Sequence, residues 1–120
     1  MKSPQKSEFA KTLVALEELN QTLFELINEF YPQGVGSFGD LHISWDGMEQ
    51  AYTIYLRDKQ FLLYKWRPNL REIYDNLDML VEVFQRLIEV KQQRLKNFSQ
   101  RFEQIDRVLA PHYIAKNLRG

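Results

Sequence analysis

The residue types that do most enzyme chemistry are sparse in this chain and poorly spaced for it. His42 and His112 are the two imidazoles. Neither has a second histidine at a metal-ligand spacing, so a metal site would need Asp40 and Asp46 to converge on one of them in space. There is no cysteine, which removes thiolate ligands, thiol nucleophiles and disulfides together. A serine nucleophile needs a base and a group that orients the base; Ser37, Ser44 and Ser99 show no such pattern. Glu17–Glu18 and Asp75–Asp78 are paired only in sequence and read as solvated helix faces. The expectation is a protein that is not an enzyme, with no catalytic residue, no metal and no cofactor.

One motif has a chemical meaning elsewhere. Gly34-Val35-Gly36-Ser37-Phe38-Gly39 fits G-x-G-x-x-G, and with Asp40 and Leu41 it resembles the glycine-rich loop of protein kinases, which covers ATP phosphates. The likeness stops at eight residues. No partner motif of that family follows, and a helix before the loop with a strand after it is the wrong order for a dinucleotide fold. The segment is expected to be a flexible connector, and no function is carried from it.

The aromatic residues point to binding instead. Ten of the sixteen fall between Phe30 and Tyr74. A small sheet packs one face on its helices, and rings left on a free face tend to bind something. Trp45, Tyr55, Tyr64 and Trp66 are the expected partner-binding anchors, because Trp and Tyr dominate such sites. An edge strand could also accept an extended peptide.

Charge is unevenly placed. Residues 1–85 carry 8 Lys/Arg and 13 Asp/Glu, and residues 86–120 carry 8 and 3, so a neutral chain divides into −5 and +5. Lys91, Arg94 and Arg101 flank an apolar line of Leu95, Phe98, Phe102, Ile105 and Leu109. A nucleic acid would favour a basic stripe, but Glu89, Glu103 and Asp106 interrupt this one. A nucleic-acid-binding regulator is therefore the second reading and a protein partner the first.

Three blocks must position these groups. Phe9, Leu13, Leu16, Asn20, Leu23, Ile27 and Phe30 are spaced alternately four and three apart, a helical seam with one polar member. It predicts a helix over 3–31, stopped at Tyr31–Pro32; Asn20 would either set register or cap a backbone group. Residues 32–67 hold a turn-rich loop and then alternating apolar runs, read as a three-stranded antiparallel meander with a hairpin at Asp46–Gly47. Asn69 with Glu72 forms a capping box, and apolar lines repeat every seven residues from Leu70 to Leu109 with no Gly or Pro between.

That third block predicts a long helix over 69–110, followed by a tail over 111–120. Unbroken, Leu70–Leu109 would span about 60 Å, against a radius of gyration near 14 Å for a domain of this size. Either the helix breaks near 91–97 or its far half is covered by a second copy. The second option makes Leu95, Phe98, Phe102, Ile105 and Leu109 a homodimer interface, with Lys91, Arg94 and Arg101 guiding it onto the acidic first helix.

The whole chain bounds these readings. Its 120 residues, 44% hydrophobic and 27% charged, suit a single folded domain over 1–120. No uncharged apolar run approaches the roughly 18 residues of a membrane span. Lys2, Lys6 and Lys11 are followed by no long apolar stretch, so a secretory signal is not expected and a cytoplasmic location is. The fold class expected is α+β: helix, small sheet, long C-terminal helix. The function expected is that of an adaptor, assembly factor or dedicated chaperone.

Overall fold

The computed structural model describes residues 4–90 and 96–119, and the surroundings of the side chains over 8–37, 39–89 and 98–114. The fold is α+β, in the order α1 (Pro4–Phe30), β1 (Val35–Phe38), β2 (Leu41–Asp46), β3 (Ala51–Leu56), β4 (Lys59–Tyr64), α2 (Leu70–Asp75), α3 (Leu77–Val90) and α4 (Lys96–Arg119).

The seam of α1 folds as its spacing requires. Leu16, Leu23 and Ile27 are buried along it, and Leu19 and Leu26 widen the stripe. Asn20 is buried too, and its Nδ2 donates to the Tyr64 carbonyl at 3.0 Å. The one polar seam residue thus ties α1 to the end of β4, because a carbonyl withdrawn from water needs a donor.

The sheet has four strands in the order β1-β2-β3-β4, all antiparallel, where three were expected. The extra strand is the glycine-rich segment read as a flexible connector. Val35–Phe38 pairs with β2 from Val35↔Ser44 to Phe38↔Leu41. Two glycines hid it from a propensity reading, yet they are what the strand uses. Gly39, at φ 62°, makes the two-residue connection to Leu41. Gly36 lies under the Tyr31 ring, where a Cβ would come within 2.0 Å of a ring carbon.

The turn expected at Asp46–Gly47 is also different. Asp46 pairs with Ala51, leaving a four-residue connection. Asp46 Oδ1 accepts from the N–H groups of Met48 and Glu49 at 3.0 and 3.1 Å. That side chain builds the loop, so a tight primed turn is not needed. A second two-residue hairpin, besides the one at Gly39–Asp40, lies between Leu56 and Lys59, with Arg57 at φ 56°.

The long helix expected over 69–110 is three helices. Asn69 caps α2 as predicted, its side chain accepting from the Glu72 N–H at 3.2 Å. The first break, at Asn76, was not foreseen. Its backbone leaves helical geometry (φ −118°, ψ 25°) and its Nδ2 donates to the Glu72 carbonyl at 2.8 Å. Asparagine can hold such a cap because its side chain competes with the helix for backbone groups. Helix α4 packs against both α1 and α3. The segment expected as a tail is helical, since α4 runs through Pro111 to Arg119.

Leu41, Ile43, Ile54, Leu56, Phe61 and Leu63 point from the sheet into one core with α1, α3 and α4. The radius of gyration is 14.6 Å, that of a folded-back chain and not of an overhanging rod. The other sheet face carries the polar or half-exposed His42, Ser44, Tyr55 and Gln60, with Ala51 and Thr53 buried on it.

Candidate functional site

The fold-back decides the fate of the C-terminal candidates. Phe102, Ile105 and Leu109 are buried within their own chain, and the Phe102 ring packs on Phe84 of α3 with centroids 4.7 Å apart. Reading them as a dimer interface is therefore corrected: α3 and α1 cover them. Phe98 is half-buried beside Arg101, whose guanidinium lies 5.5 Å from its ring centroid. Leu95, Lys91 and Arg94 lie outside the described residues. Arg101 donates to Thr22 Oγ1 at 2.9 Å and Glu25 Oε2 at 2.7 Å. The attraction between basic arm and acidic helix is present, but it closes a fold-back within one chain.

The four expected anchors separate onto two surfaces. Tyr55 (43% exposed) and the half-buried Tyr64 stand on the open face of the sheet. Strand alternation puts them there, opposite the core-facing Tyr52, Ile54 and Leu63. Trp45 and Trp66 come together on a groove of about 910 Å³ between α1 and the stretch from Lys65 to Leu70, with Pro32, Gln33 and Gly34 completing its lining.

The floor of that groove is a packed aromatic triad. Phe24 meets Trp45 edge-on at 5.9 Å and Tyr52 at 5.0 Å, and Trp45 meets Tyr52 at 5.0 Å. Such offset and edge contacts fix ring orientation as well as burying area. The Tyr52 hydroxyl donates to Asn28 Oδ1 at 3.2 Å, and burial pushes this phenol's pKa above its ordinary value. Gly34 lets the rings sit close, since its own Cβ would be 3.1 Å from the Trp45 Cβ. Trp45 keeps 37% of its surface exposed, and Trp66 keeps 64% with the Lys65 ammonium 5.0 Å from its ring.

Part of the polar lining is uncommitted. Among the described residues, the side chains of Glu17, Gln21, Gln33 and Arg67 make no hydrogen bond or ion pair. Glu17 and Gln21 sit on α1; Arg67 sits on the facing stretch just before Pro68. Arg67 has φ 53°, a left-handed backbone that a side chain disfavours. Unlike Gln50 and Arg57, it does not belong to a strand-to-strand turn.

Of the expected anchors the groove brings together Trp45 and Trp66; its other lining residues Phe24, Tyr52, Gln21 and Arg67 were not among those expected. One signal was available for Phe24: a large ring on α1 one turn beyond Asn20 but off the seam. No spacing rule marks Arg67, because its placement depends on a backbone angle. The histidines are far from the groove. His42 is exposed on the open sheet face, and His112 lies between Tyr74 and Thr12, with ring nitrogens 3.2 and 3.4 Å from their hydroxyls. Among the described residues no three of His, Asp and Glu gather as metal ligands, and no helix is long and apolar enough to cross a membrane. Comparison with protein-family models, curated proteins and solved structures finds no match for this chain.

Proposed function

We propose that this chain is a non-enzymatic interaction module, a cytoplasmic adaptor, assembly factor or dedicated chaperone, that holds a segment of a partner protein in the α1 groove. One observation carries the reading. Both tryptophans of the chain border a single groove of about 910 Å³ beside polar side chains that the fold itself leaves unpaired. Exposed rings next to uncommitted donors and acceptors are the usual make-up of a protein recognition site. Trp45 and Trp66 are the anchors; Tyr55 and Tyr64, on the other face, are not part of this site. The basic residues give less support to nucleic-acid binding, since Arg86 and Arg101 are held by Asp40, Glu82 and Glu25.

The test is selection of a random-peptide display library on the immobilised chain, with counter-selection on the double variant Trp66→Ala, Arg67→Ala. Both side chains are exposed, so the variant keeps its fold by circular dichroism. Sequences that bind the wild-type chain at least tenfold more tightly than the variant are expected. Equal recovery from both proteins would reject the groove as the binding site.

A further inference from the structure

We propose that the groove takes its partner in extended form, as a short proline-bearing stretch with a carboxylate beside it, and not as a helix. This rests on the groove being a protein-binding site and names the chemistry of what fits.

The carboxamides argue for an extended chain. Gln21 and Gln33 are uncommitted, and Asn28 uses only its Oδ1, as acceptor for Tyr52. Each carboxamide offers one donor group and one acceptor, the complement of a peptide unit. A helix has already paired the backbone N–H and C=O groups along its length and has only those of its end turns to give. An extended segment carries all of them unpaired and needs partners once water is removed. Length agrees: the α1 residues of the groove run from Glu17 to Asn28. Those eleven residue steps of helix cover about 16 Å, which matches about five residues of extended chain.

The rings argue for proline. Trp45 and Trp66 offer exposed ring surface on the groove, with Tyr52 buried beneath Trp45. A proline ring lies on such faces, and its preset backbone loses little entropy on binding.

Arg67 argues for the carboxylate. Its guanidinium has no partner among the described residues, and guanidinium pairs with carboxylate through two parallel hydrogen bonds. The backbone at φ 53° is disfavoured for a residue with a side chain, and the following Pro68 restricts it further. Strain of this kind persists where surrounding structure holds it, and it clusters at ligand sites. Glu17 on the α1 wall repels a second carboxylate, so one acidic residue, placed towards Arg67, is the pattern that fits.

Two display libraries of equal diversity separate the cases. One holds five randomised positions around two fixed prolines; the other presents its randomised positions on a helical scaffold. The extended library is expected to enrich, with Asp or Glu favoured at one position, and Arg67→Glu should switch that position to Lys or Arg. Binding of a winning peptide should change the tryptophan fluorescence, because both tryptophans border the groove. Enrichment from the helical library alone overturns the extended-segment inference and leaves the groove as a protein site. Enrichment from neither overturns both. Extended winners that lack an acidic preference, or that ignore Arg67→Glu, overturn the carboxylate pairing.

Discussion

At the scale of single residues, small side chains decide more than their sizes suggest. Asn20 breaks the apolar seam of α1, so a seam argument says that leucine there would stabilise the helix. The structure says the opposite. Leucine leaves the Tyr64 carbonyl without its donor, and an unpaired buried polar group costs about 1–3 kcal/mol. Asn20→Leu should therefore lower the urea midpoint; a rise would show that the bond to Tyr64 contributes nothing. Gly36 is the second case. Gly36→Ala forces the Tyr31 ring off the strand, with an expected loss of about 1–3 kcal/mol. A variant as stable as the parent in chemical denaturation would show that the ring moves aside freely.

At the scale of elements, four charges join the two tight hairpins to α3. Arg57 donates to both Glu82 oxygens at 2.9 and 2.7 Å, Arg86 donates to Glu82 at 2.8 Å, and Arg86 also bonds Asp40. Asp40 stands in the β1–β2 connection and Arg57 in the β3–β4 connection. The hydrogen bond from Arg86 holds the Asp40 carboxyl below its ordinary range, and that from Arg57 does the same for Glu82. A carboxylate whose folded pKa is depressed stabilises the fold above its unfolded pKa, near 4. That contribution is lost as pH falls through the lower folded value. The thermal midpoint should fall between pH 5 and pH 3, and Glu82→Gln should flatten that fall. An equal slope in the variant would mean that the network does not couple to folding. Salt weakens such half-exposed pairs, so the difference should shrink at about 1 M NaCl.

At the scale of the whole molecule, the return of α4 makes one chain sufficient for its own core. Phe102 and Leu109 lie in the same cluster as Leu19 and Phe84. Phe102→Ala should cost about 3–5 kcal/mol, as expected for a buried ring whose cavity cannot fully collapse. The unfolding midpoint of this variant and of the parent should not depend on protein concentration between about 5 and 100 µM, because mass action enters only where a partner covers the residue. A midpoint that rises with concentration would restore a second copy to this surface.

Much of this architecture was legible in the residues. The seam of α1, the stop at Tyr31–Pro32, the Asn69 cap, the strand from Leu41 to Trp45 and the apolar line of α4 all follow from local spacing and local hydrogen bonding, which a linear chain carries in itself. Trp45 and Trp66 could be singled out because ring size and a polar edge travel with residue type, while their exposure is decided by the fold. What the chain alone left open were choices between partners distant in sequence. A glycine-rich stretch became β1 because β2 offers it a ladder. An apolar line that a second copy could have covered is covered by α1 and α3, because α4 packs against both. Two of four aromatic anchors share a groove because strand alternation turns the other two away. Periodicity states which side of an element must be buried; only the tertiary structure states against what, because burial is satisfied equally by any apolar surface that arrives.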